Sequence, residues 1–320
     1  MTPDARPAPL AALQSRNFRL LWGGKLVSMA GSMMQSAAIL WHVSLLVPAA
    51  HRGIALGLVG LVRVLPIIAF SLLSGVAADA LDRRRLMLIT QSGMALAAAA
   101  LAAYAFVGGR ALWPIYALAA LSSAFGSFDG PARQSLIPNL VPREHLPNAI
   151  SLNTIMFQAA SVLGPALGGV VIGFWGVSLA YVLNAVSFLF VIAALLAMRG
   201  VPNRPASEGL RIGRRAALEG LRFVFRTPLI RSTMLLDFAA TFFASATALL
   251  PIFAQDVLRV GARGYGLLSA APSGGALVPS LALVPLIDRM ERRGGAMLWA
   301  VAGYGLATVV FGISRNFALT

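Results

Sequence analysis

Long apolar runs alternate with short polar connections along this chain. A helix that crosses the ~30 Å hydrocarbon core of a bilayer needs about 20 mostly apolar residues. Nine segments meet that length, near Phe18–Val47, Gly53–Ala78, Leu86–Val107, Leu112–Phe128, Asn148–Phe174, Ser178–Met198, Leu229–Phe253, Gly264–Ile287 and Gly295–Ile313. The stretch from His145 to Met198 carries no Asp, Glu, Lys or Arg and is too long for one helix, with Trp175-Gly176 as its natural break. The pattern predicts an all-α membrane protein.

The polar connections orient these spans. With the N-terminus inside, the N-terminal tail and the connections after spans 2, 4, 6 and 8 hold 20 of the 26 basic residues. The other side holds Arg52, Arg110, Arg259, Arg263 and Arg315, and Arg63 lies within span 2. Basic residues accumulate on the cytoplasmic side of membrane proteins, so the chain is expected to be multi-pass with a cytoplasmic N-terminus. The first 17 residues lack the short apolar core and small-residue cleavage site of a signal peptide. Residues 1–17 are therefore a cytoplasmic tail, 18–198 a six-helix bundle, 199–228 a basic cytoplasmic linker and 229–320 a group of three helices. In the linker, Ala217, Leu218, Leu221, Val224 and Phe225 recur at helical spacing, and the arginines fall mostly on other faces. That pattern suits a helix lying on the inner leaflet; a flexible charged linker is the alternative.

Composition narrows the function. The chain is 58% hydrophobic and 12% charged, with a mean hydropathy of +0.79, whereas soluble domains are about 25% charged. A net charge of +15 would suit nucleic-acid binding in a soluble protein. Here the basic residues sit between spans too apolar for such a fold, so nucleic acid is not an expected partner. There are no cysteines, which excludes disulfides and thiolate metal sites. His42 and His51 have no nearby carboxylate in sequence, so no metal site is expected. No Walker A loop, nucleophile elbow or zinc-protease helix occurs. No enzyme activity and no cofactor are expected, and any transport would run on a gradient.

A charged cassette occurs twice, each time after a long apolar run: Asp79-Ala80-Leu81-Asp82-Arg83-Arg84 and Asp288-Arg289-Met290-Glu291-Arg292-Arg293. Both follow the pattern Asp-x-x-acid-Arg-Arg, 209 positions apart, and the same offset maps Gly57-Leu58 onto Gly266-Leu267. Such a repeat implies two structurally equivalent halves, as in many transporter folds.

The stretch Gly75-Val76-Ala77-Ala78-Asp79-Ala80-Leu81-Asp82-Arg83-Arg84 resembles the signature between helices 2 and 3 of the major facilitator superfamily, Gly-x-Leu-Ala-Asp-Arg-x-Gly-Arg-Arg. Ala80 and Asp82 depart from it. The acid at Asp82 is similar to the branch of enterobactin-exporter and macrolide-efflux-like proteins. So are Pro131-Ala132-Arg133-Gln134-Ser135-Leu136-Ile137-Pro138 and Leu218-Glu219-Gly220-Leu221-Arg222-Phe223-Val224. The resemblance runs from about Ser15 to the end. It implies a helical bundle of about nine transmembrane helices in the bacterial inner membrane, three fewer than a full member. By that count the chain is C-terminally truncated relative to the family, as a fragment or as a truncated gene. It further implies a proton-coupled exporter of amphipathic small molecules, a drug or a siderophore, working by alternating access. The partners would then be a small-molecule substrate, protons and membrane lipid. The alternative is a truncated non-transporting membrane protein or interaction subunit.

The resemblance also assigns residues. Gly75, Asp79, Arg83 and Arg84 would form a cytoplasmic gate latch, with Asp79 facing the other half and Arg83 pairing with Asp129 on helix 4. Asp288, Arg292 and Arg293 would form the second latch. Simple enforcement of topology by these arginines is the other reading. Gly164-Pro165-Ala166-Leu167-Gly168-Gly169 resembles the Gly-Pro-x-x-Gly-Gly core of the family's antiporter motif, with Gly164, Pro165, Gly168 and Gly169 as its members; tight helix packing is the alternative. From the residues themselves, ionisable groups within spans are costly and point to function. Asp237 is a candidate proton carrier or a partner for a linker arginine. Arg63 either lines the cavity or snorkels, and Lys25 lies within snorkelling reach of the surface. Gln35, Asn153, Gln158 and Asn184 either line a substrate cavity or make interhelical hydrogen bonds. Asp79→Asn is expected to reduce transport while leaving membrane insertion intact; normal export by that variant would sink the latch role.

Overall fold

The computed structural model describes residues 10–200, 222–244, 247–287 and 293–320. Among these residues there is no strand. Six long helices come first: α1 (Arg16–Leu46), α2 (Arg52–Ala80), α3 (Arg83–Phe106), α4 (Leu112–Leu136), α5 (Leu146–Trp175) and α6 (Val177–Ala197). Three follow: α7 (Pro228–Ala244), α8 (Gly261–Ile287) and α9 (Arg293–Ile313). Among the described residues, five segments are long and apolar enough to cross a membrane: Ala49–Ser71, Arg83–Phe106, Arg143–Trp175, Val177–Ala197 and Gly294–Ile313. Helix α1, with 31 residues, is about 45 Å long at 1.5 Å per residue. Its apolar character is diluted by buried Lys25, Ser28, Gln35, His42 and Ser44.

Local chemistry sets the breaks. Gly176 ends α5 with φ of 83°, a left-handed conformation that costs glycine little, so the chain turns at Trp175-Gly176 as its sequence predicts. Asp82 caps α3, its carboxylate accepting from the Arg85 N–H at 2.9 Å. The acid that stands in place of the family's glycine thus satisfies a free N–H of the first turn. The seventh apolar run is not one continuous helix. Helix α7 ends at Ala244, and Thr247–Leu249 forms a 3-10 turn. Leu250–Ile252 then leads into a π-helical turn over Phe253–Val257. Pro251 falls in the first turn of that segment, where its missing N–H leaves no bond unmade.

Helix α1 runs through the middle of the six-helix group. It packs along α5 and α6 and touches α2 and α4, while α2 packs on α4, α4 on α3, and α3 on α6. Helix α8 packs along α5. That crossing is backbone against backbone: a Cβ added at Gly169 would lie 2.6 Å from the Gly266 Cα, and one at Gly266 would lie 2.7 Å from the Pro165 carbonyl oxygen. Without a hydrophobic drive between helices in lipid, such close approach supplies much of their attraction.

Among the described residues two large apolar cores result, with a small third cluster of Met94, Ala98 and Phe188. One lies at the Arg52 end and joins Ile39, Trp41, Val43 and Leu56 to Leu250, Ala254, Tyr265 and Leu268 from beyond α6. The other lies at the Arg83 end and comprises residues of the first six helices and their flanking turns, Phe18, Leu21, Met87, Leu136 and Leu195 among them. Large apolar side chains also cover the outside, including Ile54, Leu58, Leu61 and Leu65 on α2 and Leu163 and Leu167 on α5, the surface a lipid-embedded bundle presents. Gly169→Val should force α5 and α8 apart and cost about 1–3 kcal/mol. Thermal unfolding in detergent should show a lowered midpoint, and an unchanged midpoint would refute this close contact.

Candidate functional site: a charged cavity in the six-helix group

The polar residues of α1 recur at helical spacing: Lys25, Ser28, Ser32, Gln35 and His42 share one stripe with Ile39. Residues three and four apart stack on one helix face. The hydroxyls of Ser32 and Ser36 donate to the carbonyls four residues back, each at 2.9 Å. Their lone pairs are left to accept from other helices.

Three polar clusters hang on this stripe and its neighbours. The first is deeply buried: Lys25 Nζ donates to Asp129 Oδ2 of α4 at 2.7 Å. Gln91 Nε2 of α3 donates to Asp129 Oδ1 at 2.6 Å, and Ser28 Oγ lies 3.4 Å from Gln91 Oε1. Both carboxylate oxygens are thus occupied, which a buried charge needs to avoid a large desolvation cost. In the second, Asn184 Nδ2 of α6 donates to Gln35 Oε1 at 2.7 Å. In the third, Arg63 of α2 donates from Nη2 to Ser36 Oγ at 3.0 Å. Nearby, Arg133 Nη1 donates to Asn153 Oδ1 at 2.8 Å, and Arg133 Nε is buried with no hydrogen-bond partner.

These groups surround a cavity of about 450 Å³. Lys25, Gln35, Arg63, Asp129, Arg133 and Asn184 line it together with Ser32, Ser36, Ser122, Ser123 and Ser127, and its apolar wall includes Met29, Met33, Ile39, Ile67 and Met94. Gly126 and Gly130 of α4 also line it. The arrangement is suited to holding a small amphipathic molecule. Its apolar body would lie on methionine and isoleucine, and its polar group would meet hydroxyls, amides or guanidinium groups.

Several expectations find their place in this geometry. Arg63, Gln35 and Asn184 line the cavity, and the two amides also bond each other across α1 and α6. Asn153 serves Arg133, and Gln158 is half-buried on α5; neither belongs to the cavity wall. Asp237 is exposed on α7, away from the cavity lining. Gly164 and Gly168 pack against Ala30, Met33 and Met34 of α1, whereas Gly169 faces α8. The Gly-Pro-x-x-Gly-Gly stretch therefore fits α5 between α1 and α8, and Pro165 presents its carbonyl to Gly266. Gly75 has open space where a Cβ would stand.

The expected pair of Arg83 with Asp129 does not form. Arg83 Nε reaches the Ala78 carbonyl at 3.4 Å, and Arg84 Nη2 donates to the Leu196 carbonyl at 3.1 Å. The reason is depth: Asp129 sits level with Gln91, eight residues along α3 from Arg83, hence about 12 Å further in. Lys25 does not snorkel either, because the carboxylate within reach holds it inside the bundle. Asp288 and Arg292 lie outside the described residues, as do the side chains of Asp79 and Arg293 and linker residues 201–221. Arg222 to Arg226 are helical, with Phe223 and Phe225 exposed.

The Arg52 end is closed by contacts between the six-helix group and the segments after it. Arg52 Nη1 meets Asp256 Oδ1 and Oδ2 at 2.7 and 2.9 Å. Gln255 Nε2 donates to Ser44 Oγ at 2.6 Å, and Tyr265 OH donates to the Ala37 carbonyl at 3.0 Å. Trp41 and Tyr265 stack with ring centroids 5.1 Å apart, and the Arg263 guanidinium lies 3.7 Å from the centre of the Phe174 ring.

Many membrane transporters are polytopic helical bundles with a polar cavity of this kind. More narrowly, the chain belongs to the major facilitator superfamily: the family model described as transmembrane secretion effector matches residues 7–320. Members of this family are transporters, not enzymes. The chain is similar to the multidrug efflux pump Tap of Mycolicibacterium fortuitum, at 30% identity over 81% of this chain and 66% of that protein. It resembles Tap of Mycobacterium tuberculosis at 31% identity over 77% of this chain and 60% of that protein. It also resembles the enterobactin exporter EntS of Citrobacter koseri at 29% identity over 76% of this chain and 57% of that protein. The chain thus spans about two thirds or less of the length of these curated relatives.

The Lys25–Asp129 pair yields a stability prediction. Lys25→Met leaves a buried carboxylate without its cation, a change that costs about 3–5 kcal/mol. The double change Lys25→Met with Asp129→Leu should recover most of that loss in thermal unfolding. A double variant whose loss equals the sum of the losses of Lys25→Met and Asp129→Leu made singly would show that the two side chains act independently.

Proposed function

We propose that this protein exports amphipathic small molecules across the bacterial inner membrane by alternating access, with protons as the coupling ion. The observation that carries this reading is the charged cavity beside a bundle whose two parts are joined at the Arg52 end. With the arginine-rich side in the cytoplasm, the Arg52 end faces outwards, and the conformation is the outside-closed one. Nine spans and a cytoplasmic N-terminus belong to this reading, as do the divisions at 18–198 and 229–320.

In that cycle the Arg52–Asp256 and Gln255–Ser44 contacts break as the two parts rock about the tight α5–α8 crossing. Charged contacts of this kind hold one state and are released in the other. Asp79 and the second cassette would form the corresponding contacts on the inner side. Asp129 is the carboxylate in the cavity wall, and binding a proton there would require its release from Lys25, so proton uptake belongs to another conformation of the cycle. The kinship with multidrug and enterobactin exporters supports export as the direction.

The test is efflux of a fluorescent amphipathic dye from cells expressing the chain, with and without a proton uncoupler. Uncoupler-sensitive efflux above a no-protein control is expected. Asp129→Asn, with membrane insertion confirmed, should bring efflux down to the control level. Efflux that ignores the uncoupler would overturn proton coupling, and no efflux of any dye in a panel of cations, anions and neutral compounds would overturn export by this chain.

A further inference from the structure

The cavity carries an unbalanced charge. Among the described residues, Lys25, Arg63, Arg133 and Asp129 are the charged residues in its wall, three cations against one carboxylate. Asp129 is taken up by Lys25 at 2.7 Å and by Gln91 at 2.6 Å. Among the described residues no carboxylate lies within ion-pair distance of Arg63. Its recorded partner is the hydroxyl of Ser36, whose own proton is already committed to the Ser32 carbonyl. Arg63 stands eleven residues into α2 from Arg52, about 16 Å along the helix axis. That puts a guanidinium near mid-membrane, where an uncompensated charge is expensive.

The surroundings of Arg63 are apolar and flexible. Ile67 follows it by one turn on α2, and Met33 and Ile39 flank Ser36 by three residues on either side of α1, all three in the cavity wall. A planar guanidinium with five N–H donors is suited to a carboxylate, sulfonate or phosphate group. Thioether and branched side chains beside it suit an apolar body of variable shape. At the same cavity, Arg133 adds a second guanidinium to the wall, with Nη1 donating to Asn153 Oδ1.

We infer that the cavity selects amphipathic organic anions, with Arg63 meeting the acid group of the substrate and Met33, Ile39 and Ile67 holding its apolar body. The inference rests on the cavity being the substrate site, and it assigns the substrate class that the export reading leaves open. A cationic amphipath would meet a net charge of its own sign, and a neutral one would leave the guanidinium uncompensated. The bound anion supplies the missing counter-charge, so Arg63 is a specificity-determining residue.

The experiment is equilibrium binding to the purified full chain in nanodiscs of zwitterionic lipid, with empty nanodiscs subtracted. The probes are anilinonaphthalene sulfonate and its uncharged parent, N-phenyl-naphthylamine, which share one apolar body. The wild-type chain should bind the sulfonate about tenfold or more tightly than the parent, the scale of one charge-assisted hydrogen bond. Arg63→Gln should remove that preference by weakening binding of the sulfonate, and Arg63→Lys should keep part of it. Equal binding of the two probes by the wild-type chain would overturn the inference. So would an Arg63→Gln chain that loses affinity for both alike while remaining monodisperse, because that marks a structural role. If Arg63→Gln fails to insert, the Arg63→Lys chain decides: an undiminished preference overturns the assignment to Arg63, and a reduced one supports it. Binding at equilibrium needs no gradient. A chain that prefers the sulfonate but shows no efflux would overturn export alone, and one that exports dyes without charge preference would overturn this inference alone.

Discussion

A lysine ammonium and an aspartate carboxylate lie side by side in the interior of a bundle whose outside is built for lipid. Neither ion could remain there alone, because hydrocarbon offers no hydrogen bonds and little dielectric screening. The pair Lys25–Asp129, completed by Gln91, draws α1, α3 and α4 to one point. Much of the six-helix arrangement can be understood from that requirement. Helix α1 must run through the middle, since its polar stripe has to be satisfied from several sides. Helices α3, α4 and α6 then present Gln91, Asp129 and Asn184 to it.

The same constraint shapes the cavity. Once α1 turns its polar stripe inwards, space that apolar side chains would fill is edged instead by serines, amides and guanidinium groups. The bundle keeps this polar volume away from lipid by covering its outside with leucine and isoleucine. Small residues of α4, Ser122, Ser123, Gly126, Ser127 and Gly130, line the cavity and leave room for a molecule rather than for a packed core. A transporter needs such a region: stable enough to fold around, yet incompletely filled.

Cohesion between the six-helix group and the later helices has a different physical basis. The α5–α8 crossing depends on two glycines that bring backbone against backbone, and the Arg52 end adds an ion pair and aromatic stacking. The glycine contact depends little on charge or solvent, whereas the Arg52–Asp256 pair is partly exposed and contributes modestly. A tight crossing beside a weak clasp is the combination that the proposed rocking would use.

The sequence by itself determined the all-helical membrane class and the break at Trp175-Gly176, because apolar run length and glycine conformation are local properties, but it did not show that the seventh apolar run is broken near Thr247–Val257. It also marked Arg63, Gln35 and Asn184 as polar groups in costly places. The partners of those groups were decided only by the tertiary structure. Arg83 was expected to reach Asp129, but depth along the helices gave the carboxylate to Lys25. A difference of about 12 Å between two side chains on different helices cannot be seen in one dimension. The stripe Lys25, Ser28, Ser32, Gln35 and His42 was the signal that could have revealed the buried face of α1. It was legible in the spacing, and it was hidden because hydropathy averaged over a window treats α1 as a uniform span. Which face of a membrane helix turns inwards depends on what its neighbours offer, and in a medium without water only those neighbours can satisfy a polar group.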